Sequence, residues 1–298
     1  NLVKLCFMNP LHLETMLAIV DEGSFDGAAR VLGVSPSAVS QRVKALETST
    51  GRVLLRRSTP VMATDAGEVL VQAARRMALV QAETNARLQK RLARVPLSVA
   101  VNADSLATWF CPVLEDVADG GKASLRLLIE DEARTLAMLR RGDVLGAVTR
   151  EELPVSGCES TYLGKQRLVA VAAPGLARRH RTAEGMSWTQ MPVVMYGPHD
   201  QVLDDAMQER FIDSHVIRAN ISEIPSAEGY VEAVRAGLGW GLVAEAQARP
   251  LLDSGQVVLL DGDPLDVDLY WQRWRLESEV LEELTDSVVR AAGEGLVA

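Results

Sequence analysis

Apolar residues at Leu13, Met16, Leu17 and Val20 recur at i, i+3, i+4 and i+7, the spacing of one helix face, and the pattern stops near Gly23. Ser24 stands where a helix cap belongs, ahead of a second apolar stripe, Phe25, Ala28, Ala29 and Leu32, which Gly33 closes. Ser35-Pro36 predicts a third helix, because a capping side chain precedes proline at the first helical position. Val39, Val43 and Leu46 form its inner face, Ser37, Ser40, Gln41 and Lys44 lie outward, and Gly51 ends it. Arg52, Arg56 and Arg57 then flank Val53-Leu54-Leu55, ahead of Ser58-Thr59-Pro60, which predicts a short hairpin or wing.

Residues 65–94 contain no proline and only Gly67. Ala66, Leu70, Ala73, Met77 and Val80 follow alternating steps of four and three, a coiled-coil seam that weakens at Thr84 and Arg87. A helix of about 30 residues cannot bury such a stripe alone, so it needs a partner helix or the chain's own second half. The first is preferred here. After Pro96 the pattern changes to strands alternating with helices, which predicts a parallel sheet. Strands are expected over 97–102, 125–130, 145–149, 168–173, 193–196, 216–221, 241–244, 257–260 and 269–275. Helices are expected from 104 and over 132–141, 226–236 and 278–292. The restart of this pattern implies two α/β lobes joined by segments crossing near 170 and 265. The domains are thus 9–64, a linker helix over 65–94, and 95–298. Within the last, one lobe spans about 95–168 and 266–298 and the other about 169–265.

Charge changes the picture more than composition does. Over 298 residues, 31 Lys+Arg against 40 Asp+Glu give a net charge of -9, which alone speaks against nucleic acid. Residues 1–95, however, carry +5 and residues 96–298 carry -14, so the two parts are expected to have different partners. Cys6, Cys111 and Cys158 are odd in number and far apart, which fits a reducing cytoplasm and no disulfide framework. No apolar run reaches the roughly 18 residues of a membrane span. The first residues lack the apolar core and cleavage site of an export signal, and residues 1–7 read as a tail.

Two helices joined by a Gly-Val turn, the second bearing small polar and basic residues at its start, form a helix-turn-helix pattern. Ser35, Ser37, Ser40 and Gln41 suit base edges in a major groove, and Arg42 and Lys44 suit bases or phosphate. Pro36 starts that helix, and Arg56 and Arg57 of the wing suit the DNA backbone. A small helical bundle with a solvated face fits the same spacing. Ligands of such sheets bind beyond the carboxyl ends of the strands, here Asn102-Ala103-Asp104-Ser105, Glu130-Asp131, Thr149-Arg150 and Tyr196-Gly197.

Ser24-Phe25, Ala28-Ala29, the stretch from Val34 to Glu47, Gly51, Arg57 and Thr64-x-Ala66-Gly67 resemble the winged helix-turn-helix of LysR-type transcriptional regulators. The resemblance runs from about residue 9 onward. Many members carry Gln-Pro where this chain has Pro36-Ser37, so base preferences do not transfer. Downstream, Asn102 to Trp109, Glu130-Asp131-Glu132, Leu139 to Gly142, Gly146-Ala147-Val148, Tyr270-Trp271, Pro225 to Gly229 and Gly237 to Gly241 resemble the LysG/ArgP branch, which senses basic amino acids.

That resemblance implies an α/β chain with an N-terminal winged helix-turn-helix, a long linker helix and a two-lobed effector domain of periplasmic-binding-protein type. It implies a cytoplasmic homodimer or homotetramer that binds double-stranded promoter DNA. The implied effector is L-lysine or L-arginine, the implied action is activation of a basic amino acid exporter gene, and no cofactor or membrane is implied. A basic amino acid needs a carboxylate for its side chain, acceptors for its α-ammonium and donors for its carboxylate. Asp104, Glu130 and Asp131 supply acids, Arg150 a clamp and Ser105 a donor, while Asn102, Trp109, Thr149, Tyr196 and Ser226 complete the candidate set. Asp104 equally suits a helix N-cap, Glu130 and Asp131 a solvated strand end, and Trp109 a core.

Enzyme chemistry has little support. Gly237-x-Gly239-x-Gly241 follows a helix and precedes a strand, the reverse of a dinucleotide loop. There is no Walker loop, H-E-x-x-H or nucleophile elbow, and His12, His180, His199 and His215 are scattered. The competing readings are a regulator with another effector and target, a two-lobed solute-binding protein, and an architectural DNA-binding protein with a vestigial sensor. A solute-binding protein would need a signal sequence and would have no use for residues 10–94.

Overall fold

The computed structural model describes residues 9–89, 94–130, 132–197, 203, 220–260 and 262–297. The expected tail, Asp131 and most of the expected strand over 216–221 lie outside them.

Three helices open the chain: α1 (Pro10–Glu22), α2 (Phe25–Leu32) and α3 (Pro36–Thr50). Asn9, Ser24 and Ser35 cap them through side-chain oxygens, and Gly23, Gly33 and Gly51 end them in the left-handed conformation. Leu13, Met16 and Ile19 of α1 meet Ala28, Ala29, Val39, Val43 and Leu46 in one core. Leu17, Val20 and Phe25, expected in that stripe, are only half-buried at its margin. The wing is the antiparallel pair β1 (Leu55–Arg56) and β2 (Met62–Ala63). Thr64 then starts α4 (Asp65–Gln89), its hydroxyl accepting from Gly67 N at 3.1 Å. Gly67 is buried there, and a Cβ would lie 2.0 Å from the Leu54 carbonyl oxygen. Its missing side chain lets α4 close on the wing.

Helix α4 spans about 37 Å at 1.5 Å per residue. Its own chain covers the start of the expected seam, where Ala66 and Leu70 pack half-buried on the first core, and beyond that a different face. Val71 and Ala74 enter the core of the first three helices, and Leu79, with half-buried Ala82, enters the core of the next domain. Met77 and Val80 of the seam stay exposed, with Val69 and Leu88.

The rest forms two lobes. The chain continues through β3 (Val95–Val101), α5 (Ala103–Ala107), α6 (Cys111–Gly120), β4 (Ala123–Ile129), α7 (Glu132–Arg141) and β5 (Gly146–Thr149). It crosses on β6 (Cys158–Ala172) into α8 (Pro174–His180), the small hairpin β7 (Arg181–Thr182) and β8 (Gly185–Met186), and β9 (Val193–Met195). Next come β10 (Ile221–Glu223), α9 (Ala227–Ala236), β11 (Gly241–Ala244), α10 (Glu245–Asp253) and β12 (Val258–Leu259). The return strand is β13 (Leu265–Trp274), and α11 (Glu279–Gly295) closes the chain.

The main sheet has the order β11-β6-β13-β5-β3-β4, with β12 also on β6. Only β3, β4 and β5 match the expected parallel arrangement, and β9 pairs with β10 in parallel in the second lobe. The crossing strands β6 and β13 pair antiparallel, because the chain leaves the first lobe on one and comes back on the other. The first lobe's core holds Trp271, Trp274, Phe110 and Leu139; the second centres on Trp240 with Met191, Val193 and Met195.

Replacing Gly67 by Ala forces α4 off the wing. Gly67→Ala is expected to cost about 1–3 kcal/mol, the usual range for overpacking, read as a lower midpoint in urea unfolding with little change in the effector-domain circular dichroism.

Candidate functional site

The candidate residues fall on two surfaces, one on α3 and the wing and one between the lobes. On α3, Ser37, Ser40, Gln41 and Lys44 stand at i, i+3, i+4 and i+7, and all four are exposed. Ser35 accepts from Ala38 N at 3.2 Å, and its hydroxyl lies 2.9 Å from that of Ser37. Pro36 occupies the first turn, where its missing N–H leaves nothing unpaired.

Arg42 departs from the expectation. It lies off the polar stripe, half-buried, and its Nη1 donates to Thr15 Oγ1 at 3.2 Å, with Thr15 fully buried on α1. It ties α3 to α1. On the wing, exposed Arg56 pairs with Asp65 at 3.5 Å, and the Arg57 guanidinium lies 5.9 Å from the Phe25 ring centroid. Glu47 Oε1 accepts from Leu54 N at 2.8 Å, which fixes the wing to the end of α3.

Between the lobes, the parallel direction of β3, β4 and β5 brings Asn102, Glu130 and Thr149-Arg150 to one end of the sheet. Asn102 Oδ1 accepts from Ser105 N at 3.2 Å, so Asn102 caps α5 and Asp104 does not. Asp104 sits two positions past the cap, inside the first turn. Its carboxylate acts instead on the second lobe. Burial, then the charges of Asp104 and Glu228, push the Tyr196 phenol up from its ordinary value. Tyr196 therefore remains a neutral O–H donor at physiological pH. Glu228 comes from the first turn of α9, whose cap Ser226 accepts from Gly229 N at 3.2 Å and donates to Glu228 Oε2 at 3.1 Å. Carboxylates from both lobes thus act electrostatically on one phenol.

The remaining candidates scatter. Ser105 is fully buried, its Oγ donating to Gln166 Oε1 at 3.3 Å, and Gln166 Nε2 reaches Thr108 Oγ1 at 3.5 Å. Ser105 is part of the frame beneath the site rather than an open donor. Thr149 is buried, its hydroxyl accepting from Glu151 N at 3.1 Å, with half-buried Arg150 beside it. Glu130 is half-buried and ion-paired with Arg134 at 3.3 Å, and Asp131 lies outside the described residues.

Trp109 turns away. It packs edge-on to Phe110 in the first lobe's core and lines a different cleft of about 370 Å³ beside the crossing strands. That cleft's Arg167 and Arg249 are paired with Asp266 at 2.7 Å and Glu245 at 2.6 Å. Sequence reasoning missed Glu228 and Gln166. The Ser-x-Glu start of α9 signalled the first, and a polar residue in the middle of a crossing strand signalled the second.

Among the described residues, no helix is long and apolar enough to cross a membrane. Residues 11–68 match the family model of bacterial regulatory helix-turn-helix proteins of the lysR family, and residues 90–293 match that of the LysR substrate binding domain. The lysine export transcriptional regulatory protein LysG of Corynebacterium glutamicum is 58% identical over 289 residues, covering 97% of this chain and 99% of that protein. The structure of full-length LysG from that organism with bound effector Arg superposes with a TM-score of 0.83 at 57% identity, covering 98% of this chain and 100% of that one. ArgP from Mycobacterium tuberculosis gives a TM-score of 0.85 at 38% identity, covering 98% of this chain and 99% of that one. With models for both halves and full-length relatives in the same domain order, the chain belongs to the LysR family of transcriptional regulators.

Proposed function

We propose that this regulator binds L-arginine or L-lysine between its two lobes and responds by changing how it holds promoter DNA. The observation that carries the proposal is that the charges of Asp104 from one lobe and Glu228 from the other both act on the Tyr196 phenol. Unlike charges attract across such a gap and like charges repel, so a cation between the carboxylates favours the closed lobes. Asp104 and Glu228 take the side-chain cation or α-ammonium, Tyr196 donates to the carboxylate, and Arg150 clamps it. The arginine bound in the relative's structure supports this choice, and the relative's name supports an amino acid exporter gene as the target. The α4 seam at Met77 and Val80 pairs with a second copy, giving a dimer or tetramer in the cytoplasm that reads two half-sites. The regulator is not an enzyme; its site binds and releases a ligand unchanged.

Calorimetry of the full chain with L-arginine and L-lysine is expected to give binding, and L-norleucine, which lacks the side-chain cation, none. Asp104→Asn removes one charge-assisted contact worth about 1.5–3 kcal/mol, so affinity falls roughly tenfold or more. Absence of heat with both amino acids would sink the effector assignment while leaving family membership intact.

On DNA, Gln41→Ala is expected to relax the preference at one base pair by about 1–3 kcal/mol. Arg57→Ala should weaken all sequences alike and lower the salt slope by roughly one unit. Arg42→Ala should reduce thermal stability and leave the base preferences unchanged. Binding to a randomised half-site library at several salt concentrations separates the three, and a changed base preference in Arg42→Ala would contradict the inward placement of that side chain.

A further inference from the structure

Helix α7 starts at Glu132, beside Glu130 at the ligand end of the sheet, and runs about 15 Å to the opposite end. There its C-terminus is closed by Gly142, at φ 75°, with Gly142 N bonded to Leu139 O and Asp143 N to Met138 O. That turn lies on α4. Gln72 donates to the Arg140 carbonyl, and a Cβ on Gly142 would sit 3.6 Å from Gln72 Cα. One Asp143 oxygen takes Arg75 at 2.8 Å and the other takes Arg141 at 2.8 Å.

The same Arg75 Nη2 reaches Asp21, in the last turn of α1, at 2.6 Å. A single guanidinium therefore touches the DNA-binding domain, rides on the linker helix and meets the effector domain. Its side chain is only 19% exposed, and those of Asp21 and Asp143 are 43% and 22% exposed, so solvent screens this bridge less than a pair in open water.

We infer that Arg75, held by Asp143, is the positioning residue through which the effector lobe sets the angle of the DNA-binding domain. The inference rests on the proposed ligand site, since α7 and the strand β5, which leads from Asp143 to Arg150, join that end of the sheet to the bridge. Ligand closure that moves α7 along its axis carries the Arg140–Asp143 turn with it. Arg75 then either keeps both carboxylates or gives one up, a two-state contact of the kind that couples distant sites. The Leu139-Arg140-Arg141-Gly142 motif acquires a role in this way: it shapes the turn that grips α4.

The test uses the full chain with Asp143→Asn, Asp21→Asn and Arg75→Gln, which remove the bridge at one end, the other end and the middle. In a Cys6→Ser, Cys111→Ser background, dyes at Arg30→Cys on α2 and Glu115→Cys on α6 report the interdomain distance, with labelled chains diluted into excess unlabelled protein. Each variant should broaden the distance distribution, Arg75→Gln at least as much as either carboxylate variant. Calorimetry should show arginine affinity within twofold of the parent in all three. The arginine-induced ratio of operator affinities should fall toward 1 in all three. Single variants that keep the parent's distance distribution and ratio would overturn the inference. If the parent binds no arginine, the effector assignment fails, and the distance distributions still decide whether the bridge positions the domain.

Discussion

The constraint on which the molecule depends is that α4 belongs to two hydrophobic cores at once. Val71 and Ala74 pack among the first three helices, and Leu79 packs in the core of the first lobe. A continuous helix sharing both cores is a stiff rod with a domain fused to each half, so neither domain tilts without disturbing the other's packing. Gly67 allows the close approach at one end, where any larger residue would strike the Leu54 carbonyl. Farther along, polar contacts from Gln72, Arg75 and Glu83 mark the surface where the effector domain lies. Core contacts of this sort resist continuous bending, which favours switching between discrete arrangements over gradual change.

The effector half answers a different need. Two described strands, β6 and β13, run through both lobes and join them in one antiparallel ladder. Between them, carboxylates from both sides bear on Tyr196. The acidic excess of residues 96–298 therefore includes charges with a local purpose as well as those that keep this half off DNA. The positive excess of the first third lies where α3 and the wing present Lys44, Arg52, Arg56 and Arg57 to solvent.

Much of this was readable from residue order because the signals are local. Ser24 and Ser35-Pro36 start helices through their own side chains and ring geometry, whatever the rest of the chain does. Val39, Val43 and Leu46 followed from period alone. What escaped depends on which element lies opposite. Arg42 belongs to the outward residues by type, and only the position of Thr15 on α1 shows that it turns in. Asp104 looks like a cap until Asn102, two residues earlier, proves to hold the Ser105 N–H. Trp109 follows the strand-end motif directly yet packs into the lobe. The α4 seam was legible as a stripe, but the second stripe at Val71, Ala74 and Leu79 was hidden within a uniformly alanine-rich helix.

Coupling between the ligand site and the DNA surface is the central claim, and linkage makes it measurable in one titration. L-arginine is titrated by calorimetry into the full chain alone and into the same chain saturated with an operator selected from random DNA. If the two sites bias one equilibrium, the arginine Kd must differ between the two experiments by the same factor by which arginine changes operator affinity. A difference of about 5-fold or more, equal in both directions, is the expected result for coupling of about 1 kcal/mol or more. Identical arginine affinities with and without DNA would contradict the coupling of the two domains through α4.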